Sequence, residues 1–214
     1  MLKKYSKTLI VTTIIILLPV LAGIILWNKL PEQIPTHFNA AGEVDGYGSK
    51  AFAVFGLPLM LVAFQWLCAV GSLKMDPKAK NLEGKVFSLV LWIIPVLSIV
   101  MNALVYCTAL GMNMNVQIIV PLLMGLLMVI IGNWLPKCKP TWTLGIKLPW
   151  TLADEDNWNR THRFAGPVWV VCGLVIMLCA LIGGAFLWVI AAALVVMIAA
   201  PTVYSFLLFN GKIK

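Results

Sequence analysis

The sequence predicts an all-α integral membrane protein with six transmembrane helices, both termini cytoplasmic, and a short interfacial helix between helices 4 and 5. Three observations predict this. First, 61% of the 214 residues are apolar and only 11% charged, where soluble domains run at about 45–50% and about 25%; the mean hydropathy is +0.96. Second, the apolar residues gather into six runs, each near the roughly 20 residues a helix needs to cross the hydrocarbon core. Third, the basic residues between the runs fall almost entirely on one side.

The first run, Thr8–Trp27, follows Lys3, Lys4 and Lys7. It is too long for a signal-peptide core and lacks a following A-x-A cleavage pattern, so it is expected to be a retained helix. The others are Ala51–Leu73, Val86–Leu110, Val116–Leu135, Phe164–Ile182 and Ala185–Phe209. Only Gly183–Gly184 separates the last two, which predicts a tight hairpin of antiparallel helices. Each run contains or begins with a proline: Pro19, Pro58, Pro95, Pro121, Pro167 and Pro201. Pro167 is expected near a helix start, where the missing N–H is harmless. Pro19, Pro95 and Pro201 lie deeper and are expected to kink or loosen their helices.

Sidedness follows from the Lys and Arg between the runs. One side holds Lys3, Lys4, Lys7, Lys74, Lys78, Lys80, Lys85, Lys137, Lys139, Lys147, Arg160, Arg163, Lys212 and Lys214; the other holds only Lys29 and Lys50. The crowded side is cytoplasmic by the positive-inside rule. The formal net charge of +8 is therefore a topology signal, and no nucleic-acid partner is expected. The five cysteines (Cys68, Cys107, Cys138, Cys172 and Cys179) show no CxxC or Cys/His metal spacing and read as small apolar residues, with Cys138 a free thiol near the cytoplasmic surface. No repeat indicates an inverted-repeat transporter.

The apolar runs contain no Asp, Glu, Lys, Arg or His. Ion-coupled transporters and proton pumps place such groups in the membrane despite their cost, so function is expected in the connections. The outer connection, 28–50, reads NKLPEQIPTHFNAAGEVDGYGSK. Pro31 and Pro35 enforce extended backbone, while Gly42, Gly46, Gly48 and Asp45 supply turn chemistry. His37, Glu43 and Asp45 lack metal-ligand spacing. Two readings stand: a compact loop whose Phe38 and Tyr47 sit among the headgroups, or a binding epitope.

The inner connection, 136–165, reads PKCKPTWTLGIKLPWTLADEDNWNRTHRFA. Thr151 and Asp154 form a capping-box-like pattern for a short helix. Acidic Asp154, Glu155 and Asp156 near its start and basic Arg160 and Arg163 near its end match the helix dipole. Asp156 and Arg160 are spaced i,i+4. Trp158, His162 and Ala165 fall on one face, as expected of a helix lying along the inner leaflet. The Asn159–Arg160–Thr161 sequon lies on the cytoplasmic side, so no glycan is expected there.

LPEQIPTHFNAAGEVDGYGSK, residues 30–50, resembles the signature of the domain of unknown function numbered 1648, found after the first helix of many bacterial membrane proteins. GIKLPWTLADEDNWNRTHRFAG, residues 145–166, resembles that of the SdpI family: Gly145, Pro149, Trp150, Thr151, Trp158, Arg163 and Phe164 match. Lys147 stands where Arg is frequent and Leu148 where Thr is frequent. The resemblance implies residues 1–85 as a region of the first type, and 86–214 as an SdpI-like region.

It also implies a role: a multi-pass protein of the bacterial plasma membrane that protects against a secreted peptide toxin of the SdpC type, and that can hold a transcriptional repressor at the membrane. The outer epitope would centre on Pro35, His37, Phe38, Asn39, Gly42, Asp45 and Gly46. The inner motif would comprise Gly145, Lys147, Pro149, Trp150, Thr151, Asp154, Trp158, His162, Arg163, Phe164 and Gly166. The expected partners are the lipid bilayer, the toxin and a cytoplasmic repressor, without cofactor, metal or catalysis. The alternative is a transporter or exporter of a peptide or small apolar solute. An enzyme using His162 with Asp154 or Glu155 is disfavoured, because Asp154 and His162, eight positions apart, lie about two turns along a helix and do not meet.

Overall fold

The computed structural model describes residues 2–82, 84–183 and 186–212. All six apolar runs are helical, and each is long and apolar enough to cross a membrane. They are α1 (Leu2–Ile25), α2 (Leu57–Met75, preceded by a π-helical turn, Phe52–Gly56), α3 (Lys85–Ala109), α4 (Val116–Trp134), α6 (Glu155–Ile182) and α7 (Phe186–Phe209). A short helix, α5 (Pro149–Ala153), precedes α6. In hydrocarbon no water satisfies backbone groups, so a spanning apolar run closes its hydrogen bonds within itself.

Three departures from the sequence reading have local causes. The outer connection, expected as a compact loop in an all-α chain, folds into an antiparallel hairpin, β1 (Gln33–Phe38) and β2 (Val44–Ser49). The fifth helix begins at Glu155, well before its apolar run, because the acidic–basic segment continues the same helix. At 28 residues it extends about 42 Å, longer than a hydrocarbon core of about 30 Å, so its polar first turns lie beyond the apolar stretch. Pro167 is therefore interior to α6 and not near its start. The expected turn at Gly183–Gly184 is described only in part. Gly183 is left-handed (φ 75°) and its N–H closes on Cys179 O; Gly184 and Ala185, like Lys214 of the charge count, lie outside the described residues.

The helices form two compact units. In the first, Met1–Met75 with Phe87–Val116, α1 packs along α2. A core of Leu30, Ile34, Ala53, Val54, Val105 and Tyr106 ties the base of the hairpin to α3. Uncharged polar groups bond within this unit. Gln65 Nε2 donates to Thr12 Oγ, Trp66 Nε1 to Thr13 Oγ (3.0 Å), and Ser98 Oγ to Ile16 O (3.0 Å). Tyr106 OH donates to Pro19 O (3.2 Å). Two of these bonds fall on the turn of α1 that Pro19 loosens.

In the second unit, Asp76–Val86 with Gln117–Lys214, α6 lies along α7 around Cys172, Ile176, Ala193 and Met197. Against α4 it makes backbone-level contact at two glycine pairs. A Cβ on Gly132 would lie 2.8 Å from Gly166 O, and one on Gly125 would lie 2.6 Å from Gly173 O. Small residues set such close approaches in membranes, where lipid is as apolar as a leucine side chain.

Pro201 lacks the N–H that would pair with the carbonyl of Met197, four residues earlier. Trp169 Nε1 on α6 donates to that carbonyl at 3.1 Å. Trp169→Phe should therefore destabilise this unit by about 0.5–1.5 kcal/mol, the net value of a hydrogen bond. In a Pro201→Ala background, where the alanine N–H restores the helical partner, the same change should cost measurably less. Equal costs in denaturant titrations of the four variants would show that the two positions are uncoupled.

Candidate functional site

The hairpin is built from its turn outward. Asn39 Oδ1 accepts the N–H groups of Ala41 (2.8 Å) and Glu43 (3.0 Å), and the Asn39 N–H donates to Glu43 O (2.8 Å). Gly42 takes the left-handed conformation (φ 75°) that closes the turn. Gly46 stands opposite His37, where a Cβ would approach His37 Cβ to 2.8 Å. Pro35 is buried at the strand base, and Phe38 packs against the apolar core beneath. Lys50, 7% exposed, pins the base by donating to Glu32 Oε1 (2.8 Å) and Trp27 O (3.2 Å) while lying over the Trp27 ring.

All seven residues expected in the outer epitope thus fall in one hairpin, with two kinds of role. Asn39, Gly42, Gly46, Pro35 and Phe38 shape and seat it. His37 and Asp45 are exposed and bonded through Nδ1 and Oδ1. Tyr47, on the exposed side of β2, is 61% exposed.

The second structured connection runs from Leu135 to Asp154. Trp158 and His162, one turn apart on α6, are fully buried and their rings stack at 4.1 Å. Trp158 Nε1 donates to Cys138 O (2.8 Å). His162 Nε2 accepts the Ile146 N–H (2.9 Å), and Nδ1 faces Trp158 O (2.8 Å). A carbonyl only accepts, so Nδ1 carries the proton and the ring is the neutral Nδ1–H tautomer. Gly145, at φ 100°, crosses directly over the stack; a Cβ there would lie 2.5 Å from His162 Nε2. The face of Trp158, His162 and Ala165 expected to lie along a leaflet is covered by the protein's own chain.

Thr151 was expected as a helix cap; instead it sits inside α5, with Oγ accepting the Leu148 N–H (2.9 Å) and donating to Ile146 O or Leu148 O (2.9 and 3.0 Å). Asp154 caps α6, accepting from the Asp156 N–H (2.9 Å), because the break between α5 and α6 falls at its extended backbone. Asp156 and Arg160 do pair, at 3.7 Å on the surface. Pro149 opens α5. Trp150 Nε1 donates to Ser205 Oγ (2.6 Å) and its ring packs on Phe206 and Phe209. Phe164 stacks on Tyr204 at 4.4 Å, and Gly166 meets Gly132. Lys147 and Arg163 are exposed, with Lys147 Nζ donating to Thr143 O (3.3 Å).

The sequence reading missed Asp76. It is 6% exposed. Its Oδ2 accepts from Trp142 N–H (2.9 Å), Thr143 N–H (3.0 Å) and Thr143 Oγ (2.8 Å), and its Oδ1 accepts from Lys78 N–H (2.8 Å). Asn81 adds a bond to Pro140 O (2.7 Å). The signal was an acidic residue before proline in a lysine-rich segment, Lys74–Met75–Asp76–Pro77–Lys78, a position that favours turns. Asn157, Thr161 and Ser205 form a second missed set. Thr161 Oγ and Ser205 Oγ both donate to Asn157 Oδ1 (3.0 and 2.9 Å), and Asn157 Nδ2 donates to Ser205 O (3.0 Å).

Both ring nitrogens of His162 face backbone groups and its ring stacks on Trp158, while His37 pairs with one carboxylate in the open. Among the described residues no cluster of His, Cys, Asp or Glu suits a metal ion. What the two connections define is a multi-pass membrane protein with a braced hairpin on one unit and a locked aromatic connection on the other.

Residues 14–62 match the model of the domain of unknown function DUF1648, and residues 137–205 that of the SdpI/YfhL protein family. Similarity to known proteins thus falls in two parts of the chain, an N-terminal DUF1648 segment and a C-terminal SdpI/YfhL segment. It is 28% identical over 191 residues to the immunity protein SdpI of Bacillus subtilis (strain 168), covering 89% of this chain and 90% of that one. No solved structure matches it.

Two outcomes follow from the connection's bonding. Asp76→Ala removes the acceptor for four donors and should release residues 138–148, so that trypsin cuts detergent-solubilised protein faster at Lys147 than it cuts the wild type. An unchanged cleavage rate would show that the aromatic lock alone holds the segment. Burial pushes the Cys138 thiol up to about 11 from 9.0. Below pH 9 its thiolate fraction is then about a hundredfold below that of an ordinary thiol. With the other four cysteines replaced by alanine, maleimide labelling of Cys138 should rise tenfold per pH unit up to about pH 10–11 instead of levelling near 9.

Proposed function

We propose that this chain is an immunity protein of the bacterial plasma membrane, protecting its host from a secreted membrane-active peptide of the SdpC type. Its termini lie in the cytoplasm, in keeping with fourteen of sixteen Lys and Arg residues on that side. The hairpin then faces outward, where a secreted toxin arrives, and the aromatic connection faces the cytoplasm. The relative's name, immunity protein, supports the role. The observation that carries the reading is the hairpin itself. His37, Asp45 and Tyr47 are presented to solvent on a scaffold that Phe38, Asn39, Gly42, Gly46 and Lys50 shape and seat, and rigidity lowers the entropic cost of capture.

The inward connection positions α5, α6 and α7 and forms the contact for a cytoplasmic repressor held at the membrane during signalling. Toxin binding would signal only by favouring one conformation over another, and the proline-bearing helices α1, α3 and α7 are the elements able to move.

The test is survival of a toxin-sensitive Gram-positive strain, with and without the protein, exposed to an SdpC-type peptide. Wild type should protect. His37→Ala should lose most of the protection at unchanged membrane levels, because His37 supports no core contact. Trp158→Ala should instead lower membrane levels, since it dismantles the stack under Gly145. Absence of protection by the wild type would reject immunity to this peptide class.

A further inference from the structure

The first unit contains a polar group that its own fold leaves without a partner. Gln65, in the middle of α2, is 1% exposed. Its Nε2 donates to Thr12 Oγ, but Thr12 donates its own hydrogen to Leu9 O (3.1 Å) and returns nothing to the amide. Gln65 Oε1 is buried with no hydrogen-bond partner. An amide oxygen taken out of water without a donor is costly, and such groups in native folds call for an explanation.

Gln65 is also part of the wall of a cavity of about 50 Å³, together with Cys68, Ser72, Phe87, Leu91 and Ile94. That volume exceeds the 10–15 Å³ needed for one water-sized group and suits a hydroxyl with one or two carbons. The rest of the wall is almost entirely apolar, and Cys68 on its rim is exposed. A wider groove of about 310 Å³ on the same unit, lined by Leu17, Leu18, Leu21, Phe55 and Leu59, offers apolar side chains only.

We propose that the Gln65 cavity is an intramembrane binding site for an uncharged amphiphile that carries a hydroxyl on an aliphatic stem. The hydroxyl donates to Gln65 Oε1 and the stem runs out past Cys68 into the lipid. A hydroxyl both donates and accepts, so it satisfies the amide whichever way the amide is turned. A charged head is excluded because no Asp, Glu, Lys, Arg or His side chain lines the cavity to pair with it. Lipid headgroups are excluded by depth, since Gln65 lies near the centre of the Phe52–Met75 span. The site is independent of the immunity reading: it rests on α1, α2 and α3 and uses no hairpin residue.

The test uses the full chain in lipid nanodiscs with its three glutamines, Gln33, Gln65 and Gln117, labelled with ¹³C at Cδ. Gln65→Leu identifies the Gln65 signal. Titration with 1-hexanol should shift that signal saturably to higher frequency, while n-hexane at equal membrane concentration, which reaches the apolar groove as well as the alcohol does, should leave it in place. Val90→Phe, which fills the cavity from α3 without touching the Thr12 bond, should keep the Gln65 resonance and abolish the hexanol shift. No shift with hexanol, an equal shift with hexane, or a shift that survives Val90→Phe would each overturn the proposal, leaving Gln65 Oε1 to be served by water alone.

Discussion

In lipid the hydrophobic effect does not press one helix against another, because the surrounding chains are as apolar as the helix surfaces. What holds one helix to another here must therefore come from van der Waals packing, above all at close backbone approach, and from hydrogen bonds in a medium that cannot replace them. In the second unit, Gly125 with Gly173 and Gly132 with Gly166 bring α4 and α6 to backbone contact, and Trp169 supplies the donor that Pro201 withholds from Met197. In the first unit the same economy appears as hydroxyls and amides of α1, α2 and α3 bonded to one another or to carbonyls near Pro19. The prolines weaken single helices, and side chains of neighbouring helices restore part of what they remove.

The two connections solve a different problem. Both are rich in polar backbone and must hold one shape at a membrane surface, and each does so with a small set of acceptors aimed at main-chain N–H groups. Asn39 folds the hairpin turn; Asp76, His162 and Thr151 fold the longer connection. Glycine stands where a main chain must pass something bulky: Gly46 beside His37, Gly145 over Trp158 and His162. A signature rich in Gly, Pro, Trp and Thr is then largely a folding signature, and the few exposed members stand apart from it.

The six helices were legible because apolar length is a one-dimensional property, and five of the observed starts lie within six residues of those read from the runs. The fifth helix was misjudged because Glu155 to Arg163 is polar and reads as a separate interfacial helix, whereas its helical periodicity runs unbroken into the apolar stretch. That error also misplaced Pro167 and gave the cap to Thr151 instead of Asp154. The grouping of Trp158 with His162 was legible from their i,i+4 spacing. What covers them was not: the contact with Gly145 depends on a long-range turn held by Asp76, which lies 66 residues or more from the groups it binds. The hairpin was missed as a strand pair because its glycines and prolines signal turns and its hydrophobic alternation is weak, whereas its register is fixed by the core under Ile34 and by the Lys50 anchor.

The two histidines show why residue type alone could not rank the sites. His37 lies 72% exposed against a carboxylate, so its bond can open to admit a ligand. His162 has both nitrogens committed to backbone groups and its face to an indole, so adding a proton would set an N–H against the Ile146 N–H. The first is arranged for exchange and the second for permanence. The richest cluster of chemistry-bearing side chains in the sequence, around Trp158 and His162, is consequently held by the protein's own backbone, while the sparser hairpin presents its histidine to solvent.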